Sequence, residues 1–206
     1  MGTTSTAEGG LLMAVVIMQL LAAAIASDPE LTTDFATIMH NASADNFTFT
    51  GLRGGAKARP GSFKTVRVFV DSFPALEGLG ISAALLEFHP STHSAPHIHP
   101  RGTELFYVME GSLMVGLVDT AGHFFNQTLQ TGDLFVFPKG LLHFEVNPST
   151  AQKAVAFSSF SGSNPATISI PATLFGSGIP PAVLAQAFHV DDSALAQLQA
   201  PFAPRQ

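Results

Sequence analysis

The sequence predicts an all-β domain, a sandwich or a barrel, followed by short α-helices. Valine, leucine, isoleucine and phenylalanine are abundant, with 18 phenylalanines among 206 residues, and β-branched and aromatic residues are enriched in strands. From residue 63 to residue 160, short runs of these residues alternate with glycine and proline turns. Beyond Pro171 the composition becomes typical of helices.

Each predicted strand follows from its local pattern. Residues 63–70 alternate charged residues with β-formers, which predicts a half-buried strand, whereas the apolar run at 81–88 predicts a buried one. Residues 47–49 form a candidate edge strand. Another strand begins at His97, and the remaining ones span residues 105–109, 113–118, 124–129, 134–137, 142–146 and 154–160.

Two helices are predicted near the carboxyl terminus. The segment 182–188 places its apolar positions 183, 184, 187 and 188 on one face. Asp191-Asp192-Ser193 offers an N-cap for a second helix at 194–199. No internal repeat is visible. We therefore expect one domain, with a barrel at about 60–170 and helices at about 176–200.

Composition and charge exclude several classes of protein. Charged residues make up 12% of the chain and hydrophobic residues 46%, which is the balance of a folded, core-forming protein. The formal net charge is −6, and lysine and arginine are scattered, so nucleic acid is not an expected partner. Cysteine is absent, which excludes disulfides and thiolate metal ligands.

The amino terminus predicts export. Residues 11–26 form an apolar run that ends in Ala24-Ile25-Ala26, a small-x-small cleavage pattern. The run is shorter than the about 20 residues that a membrane span needs. We expect a signal peptide at 1–26 and a secreted mature chain, 27–206, that is not held in a membrane. An uncleaved anchor is the alternative, because the segment before the run contains no lysine or arginine.

Three N-x-[ST] sequons, at Asn41, Asn46 and Asn126, predict N-glycosylation and support export. Asn147 is excluded as an acceptor because Pro148 follows it. Such triplets also occur by chance. The closely spaced pair at Asn41 and Asn46, in a polar stretch after the predicted signal, therefore carries more weight than Asn126.

Residues 96–104 contain a candidate metal site. His97 and His99 are two apart, so on an extended strand both imidazoles point to the same face. A proline and a glycine then interrupt the strand and let Glu104 turn back to the same point. His143, which follows a later strand and a Pro/Gly turn, offers a fourth ligand. Imidazole and carboxylate suit first-row divalent ions, and ligand type alone leaves Mn, Fe, Zn and Cu open.

The two segments that carry these residues resemble the two motifs of the cupin superfamily. The first motif, G-x5-H-x-H-x4-E-x6-G, matches at His97, His99, Glu104 and Gly111, with Ser91 in place of its opening glycine. The second motif, G-x5-P-x-G-x2-H-x3-N, matches at every position: Gly132, Pro138, Gly140, His143 and Asn147. Residues 96–104 are also similar to the germin box, with Gly102 where alanine is usual.

The resemblance to germins and germin-like proteins covers the mature chain, including Ser-Asp-Pro at 27–29. It implies a cupin jelly-roll β-barrel in a glycoprotein of the plant apoplast and cell wall, with a role in defence or stress. It further implies a homohexamer built as a trimer of dimers, and Mn(II) held by His97, His99, Glu104 and His143. Typical germins carry a cysteine pair near the amino terminus. This chain looks like a member of a cysteine-free subgroup, whose amino-terminal segment is held by packing.

The resemblance also suggests what a small anionic substrate would meet. Superoxide dismutation needs little beyond an open manganese site. Oxalate oxidases have asparagines at the positions that match Ala84 and Ser94, so oxalate oxidation is disfavoured here. A non-enzymatic cell-wall receptor or ligand-binding protein is the alternative from another class, and nucleotide-sugar hydrolysis is a further one. Arg101 beside the site could attract an anion, although a solvated arginine is the simpler interpretation.

Overall fold

The computed structural model describes residues 28–29, 31–36 and 41–203. The predicted signal peptide and its cleavage site lie outside the described residues. Within the described ranges, no helix is both long enough and apolar enough to cross a membrane.

The described residues form two five-stranded antiparallel sheets, which confirms the all-β prediction. One sheet has the order β1-β2-β9-β4-β7, and the other has the order β10-β3-β8-β5-β6. The strands are β1 (Phe63–Val68), β2 (Ser82–Phe88), β3 (His93–Ile98), β4 (Glu104–Glu110), β5 (Ser112–Val118), β6 (Phe124–Gln130), β7 (Leu134–Phe137), β8 (Leu142–Val146), β9 (Ala154–Phe160) and β10 (Ile168–Ser169).

The core lies between the two sheets. Because side chains alternate along a strand, β9 buries every second residue, from Ala154 to Phe160. Phe88 and Phe106 from one sheet and Leu113 and Val115 from the other are fully buried in the same cluster. Each such side chain contributes about 1.5–3 kcal/mol through burial. The two sheets are therefore held face to face around an apolar interior.

Three short helices follow the sheets: α1 (Ile170–Gly176), α2 (Pro181–Phe188) and α3 (Asp192–Gln199). The Asp191 carboxylate accepts a hydrogen bond of 2.8 Å from the Ala194 N–H, as the N-cap prediction requires. Leu184 is buried, whereas Val183 and Phe188 on the same predicted face are 54% and 44% exposed. Much of the apolar face of α2 is therefore left for another surface.

Three local predictions differ from the structure. The strand at 47–49 is wrong, since Ala44–Phe47 form a 3-10 turn in which Asn46 Oδ1 accepts from the Ser43 N–H at 2.8 Å. The strand before the metal site begins at His93, four residues earlier than the sequence suggests. Helix α1 was not predicted, because Pro171 looked like a boundary; it lies in the first turn, where proline is tolerated.

Two positions of the first cupin-like motif have backbone conformations that favour glycine. Gly111 has φ of 79°, and a Cβ there would lie 2.8 Å from the Lys153 carbonyl oxygen. Ser91, at the position where the motif has glycine, has φ of 58°. In this left-handed conformation the Cβ of a non-glycine residue crowds the backbone, which costs free energy of folding. The chain therefore keeps the turn without the residue best suited to it.

The start of the described chain is hydrogen-bonded to the barrel. The Asp28 carboxylate accepts from the Ser163 N–H at 2.8 Å and from the Gly80 N–H at 3.2 Å. Ser163 is itself buried, and hydrogen bonds to a charged acceptor are the stronger kind. The amino-terminal segment of this cysteine-free chain is thus tied to two separate loops through one carboxylate.

Candidate metal centre

Residues from both sheets converge on one buried point. His97 on β3 lies directly opposite His143 on β8, and their ring centroids are 4.2 Å apart. His99 follows β3, and its carbonyl oxygen accepts from the Gly140 N–H at 2.9 Å, which ties the Pro/Gly turn to the site. Glu104 begins β4, on the other sheet. One potential ligand atom from each residue lies within 4.8 Å of the others.

The candidate ligands are almost completely buried. His97 and His99 are 6% and 5% exposed, and Glu104 and His143 are each 1% exposed. Glu104 Oε2 lies 3.1 Å from His99 Nε2 and 3.4 Å from His143 Nε2. Among the described residues, Glu104 Oε2 and His143 Nε2 have no hydrogen-bond partner. A buried polar atom without a partner costs about 1–3 kcal/mol.

Backbone carbonyls determine which ring nitrogen of each histidine is turned to the centre. His97 Nδ1 lies 2.8 Å from the Ala95 carbonyl oxygen, and His143 Nδ1 lies 2.7 Å from that of Leu141. His99 Nδ1 makes the equivalent contact with the carbonyl of Ala166. Because a carbonyl oxygen can only accept, Nδ1 of each neutral ring carries the hydrogen. The Nε2 lone pairs of His99 and His143 therefore face Glu104, as in histidines that hold a metal.

The ionisation of the cluster favours a cation. Burial, together with the neighbouring His143, lowers the pKa of His97 to about 4, so its imidazole is neutral at higher pH. Burial acts to raise the pKa of Glu104, but the polar contacts of this carboxyl, among them the hydrogen bond from the Ser158 hydroxyl, outweigh burial and lower its pKa. A neutral imidazole and an ionised carboxylate are the forms that bind metals.

Further side chains hold the ligands in place. Ser158 on β9 is fully buried and donates from Oγ to Glu104 Oε1 at 2.5 Å. The Phe137 ring stacks on His143 with centroids 4.4 Å apart, and the edge of Phe160 meets His99 at 4.9 Å. Such supporting contacts fix ligand orientation and tune metal affinity.

Asn147, the last residue of the second motif, has a structural role. Its side-chain N–H groups donate to the carbonyls of Phe88, His89 and Gln152, and its Oδ1 accepts from the Ser149 N–H. It is fully buried. A buried amide with both ends satisfied joins chain segments rigidly. Asn147 therefore ties the end of β8 to β2 and to the loop before β9.

A second buried carboxylate lies near the site. Glu145, two residues after His143, is fully buried, and neither of its oxygens has a hydrogen-bond partner among the described residues. Burial raises its pKa well above the usual range, and the charge of Glu104 adds to this effect. Its opposite residue across β3 and β8 is Ser94. No sequence motif marks this buried group, since Glu145 lies in an ordinary short strand, β8.

A cavity of about 100 Å³ opens beside the cluster. His97, His99 and Glu104 line it, together with Ala84 on β2 and Ser94 on β3. Both residues at which oxalate oxidases have asparagine therefore face the space next to the candidate ligands. Ser94 Oγ lies 3.5 Å from His97 Nδ1, too far for a strong hydrogen bond.

Some of the residues that the sequence predicts at the site lie there, and others do not. The structure brings together all four candidate ligands. Arg101 does not line the cavity; its guanidinium donates to the backbone carbonyl and side-chain oxygen of Asn164. Sequence reasoning missed Ser158, Glu145 and Arg67, which no motif marks. Strand pairing brings Ser158 and Arg67 to the site, whereas Glu145 follows His143 on the same strand. Asn41, Asn46 and Asn126 are exposed, and their glycosylation stays a prediction.

Comparisons with known proteins agree with this geometry. The family model described as Cupin matches residues 55–195. Germin-like protein 9-1 of Oryza sativa subsp. japonica is 43% identical over 98% of this chain and 84% of the relative. Germin-like protein 9-3 of the same plant is 37% identical over 94% of this chain and 95% of the relative. A solved oxalate oxidase superimposes with a TM-score of 0.79 and 31% identity, covering 85% of this chain and 98% of that one.

Proposed function

Because the chain belongs to the cupin family and, within it, to the germin-like proteins, we propose that it is a manganese-dependent superoxide dismutase. We further propose that it is secreted into the plant apoplast and cell wall and acts there in defence or stress. The likeness to germin-like proteins of rice supports these proposals. The apolar run and cleavage pattern at residues 11–26 support secretion.

One observation carries the proposed activity: unprotonated nitrogen atoms face a buried carboxylate oxygen. Glu104 Oε2 lies 3.1 Å from His99 Nε2 and 3.4 Å from His143 Nε2. Neither kind of atom brings a hydrogen to these contacts, because each ring donates from Nδ1 to a carbonyl. A bound divalent cation would satisfy both atoms at once. With Mn(II), this donor set supplies a redox-active ion and open coordination positions.

The residues around the cluster suit a small anion. Three neutral imidazoles and one carboxylate around a divalent ion give a net charge of about +1. The carboxylate is held by Ser158 and the imidazoles by backbone carbonyls. The adjacent cavity has a volume of about 100 Å³. It therefore favours a substrate of very few atoms over a sugar nucleotide.

Oxalate oxidation is disfavoured by the same cavity. Ala84 presents only a methyl group, and Ser94 is shorter than asparagine. Neither can supply the side-chain amide that the matching residues of oxalate oxidases supply. The solved relative is an oxalate oxidase, but the resemblance of the fold does not replace these missing groups. Superoxide dismutation makes no such demand on the cavity.

The test is superoxide removal by purified protein with and without manganese. A His97→Ala/His99→Ala variant removes two ligands, and His93→Ala, exposed on the same strand, is the matched control. We expect activity in the wild type and in His93→Ala, and none in the double variant. Circular dichroism of each sample checks the fold. Equal activity in the double variant would contradict a metal enzyme and would favour a non-enzymatic binding protein.

We also propose that the chain assembles as a homohexamer, a trimer of dimers. The outer face of β4 and β7 supports this proposal. Leu105 lies opposite Val136 and Tyr107 opposite Leu134, and these side chains are 44%, 49%, 39% and 59% exposed. A contiguous exposed apolar surface marks an interface. Light scattering of the purified protein measures the assembly mass, and a monomer would contradict the proposal.

A further inference from the structure

One arginine, exposed at the cavity beside the metal centre, has no role in the proposed reaction. Arg67 on β1 lines this cavity together with His97, His99 and Glu104. We infer that the cavity contains a subsite for a small monoanion and that the Arg67 guanidinium is its recognition group. The inference rests on the proposed function for the identity of that anion as superoxide. The subsite itself follows from the cavity.

The pairing of strands explains why Arg67 faces the cavity. Phe63, Thr65 and Arg67 are spaced two apart on β1, so their side chains share one face. Arg67 pairs with Ala84 and Thr65 pairs with Leu86 across β1 and β2, and all of these residues line the same space. The register of two neighbouring strands thus fixes the direction of the arginine.

Aromatic rings connect the arginine to the metal centre. Arg67 Cζ lies 5.9 Å from the centroid of the Phe69 ring. Phe69 meets Phe160 edge to face at 5.7 Å, and Phe160 meets His99 at 4.9 Å. A guanidinium over an aromatic face is held by a cation–π attraction of about 0.5–1 kcal/mol at exposed sites. The Phe69 ring therefore favours a position of Arg67 at the mouth of the cavity.

Charge makes this position useful for an anion. The whole chain carries a formal net charge of −6, and Glu104 contributes a carboxylate to the cavity wall. Among the described residues that line the cavity, Arg67 is the one lysine or arginine. A local cation at an otherwise unfavourable surface raises the rate and strength of anion capture. At physiological salt, the attraction between Arg67 and an anion still in solvent is screened beyond about 8–10 Å.

Size and shape limit the anion. A cavity of about 100 Å³ has room for a small anion such as superoxide or formate. The planar guanidinium presents parallel N–H donors that match two adjacent oxygen atoms. The hydroxyl groups of Thr65 and Thr167 line the same cavity and offer further donors.

Formate is a suitable probe, because it is a redox-stable monoanion of about the right size. Its dissociation constant is measured by isothermal titration on manganese-loaded protein, at low ionic strength in a buffer with a bulky sulfonate counterion. The variants are Arg67→Gln, Arg67→Lys and the control Arg53→Gln. Arg53 is exposed on the turn at 51–54 and does not line the cavity.

We expect Arg67→Gln to weaken formate binding about fivefold, which is the size of one solvent-accessible ion pair. Arg67→Lys keeps the positive charge but loses the planar pair of N–H donors, so its affinity for formate should lie between those of the wild type and Arg67→Gln. Arg53→Gln should bind as the wild type does. At high ionic strength the difference between the wild type and Arg67→Gln should shrink. Equal affinities of the wild type and Arg67→Gln at low ionic strength, or no formate binding to the wild type, would overturn the inference.

Superoxide removal measured on the same samples separates this inference from the proposed function. If the protein does not remove superoxide but binds formate in an Arg67-dependent way, the anion subsite is supported and the proposed dismutase activity is wrong. If the protein removes superoxide but binds formate equally well without Arg67, the dismutase activity is supported and the Arg67 subsite is wrong.

Discussion

Glu104 Oε2 lies 3.4 Å from His143 Nε2 in the interior of the barrel, and neither atom has a hydrogen-bond partner among the described residues. The His143 ring donates from its other nitrogen to the Leu141 carbonyl. Two lone pairs therefore face each other where water has little access. This arrangement is unfavourable for the apoprotein and favourable once a cation lies between them.

The first prediction is that metal stabilises the fold and that Ser158 contributes to metal affinity. Ser158→Ala removes the hydroxyl that donates to Glu104 Oε1. Loss of such a supporting contact typically costs about 10–100-fold in metal affinity. Competition with a chelator measures the affinity. Ser159→Ala is the matched control because Ser159 points to the opposite face of β9, and equal losses in both variants would contradict the assigned role.

The second prediction concerns Glu145 and pH. Burial raises its pKa in the folded state above its ordinary value. The folded protein therefore holds this proton more tightly than the unfolded chain, and stability falls as pH rises from about 4.5 through the folded pKa. Glu145→Gln should raise the free energy of unfolding of metal-free protein at pH 8, because the unfolded wild-type chain is stabilised by releasing the Glu145 proton and the unfolded variant is not. At pH 4 the gain should largely vanish.

Thermal unfolding in a chelator at pH 4 and at pH 8 measures this difference. Glu77→Gln is the control, because Glu77 is exposed and no gain is expected there. A gain for Glu145→Gln that is the same at both pH values would contradict the ionisation argument and would point to packing alone.

The third prediction follows from the backbone at Ser91. Its φ of 58° lies in the left-handed region, where glycine avoids a cost of about 1–2 kcal/mol but loses about 0.5–1 kcal/mol of chain entropy. Ser91→Gly should therefore stabilise the protein by about 0.5–1 kcal/mol in denaturant unfolding. Ser91→Ala removes only the hydroxyl and should give no gain. If alanine stabilised as much as glycine, the backbone would not be the cause.

The fourth prediction tests why oxalate is disfavoured. Ala84→Asn combined with Ser94→Asn would place two amides on the cavity wall beside His97, His99 and Glu104. We expect peroxide release from oxalate in this variant and none in the wild type. Ala83→Asn, on the other face of β2, serves as the control. Peroxide release from oxalate by the wild type would refute the argument from Ala84 and Ser94.

The ligands and most strands could be predicted from the sequence because their signals are local. Strands β7, β8 and β9 have the predicted bounds, since alternation and flanking glycine or proline define them. His97 and His99 share a face for the same reason. The predicted strand at 47–49 is wrong, because Phe47 ends a 3-10 turn in which the Asn46 side chain competes with backbone pairing, and residues 48–49 form no strand.

The groups around the ligands could not be predicted in this way. Ser158 reaches Glu104 across 54 residues, and Arg67 reaches the cavity through the register of β1 on β2. Such neighbours depend on strand order, which no short motif encodes. Arg101 shows the converse, since its position beside the ligands suggested an anion site, whereas its guanidinium binds Asn164.

The central claim is that His97, His99, Glu104 and His143 hold one manganese ion per chain. Elemental analysis of the protein purified from its native source, without added metal, tests it most directly. We predict about one manganese per chain in the wild type, and its loss in a Glu104→Gln form expressed in the same source, which keeps the side-chain volume. Stoichiometric zinc, iron or copper, or a full complement of manganese in Glu104→Gln, would contradict the account.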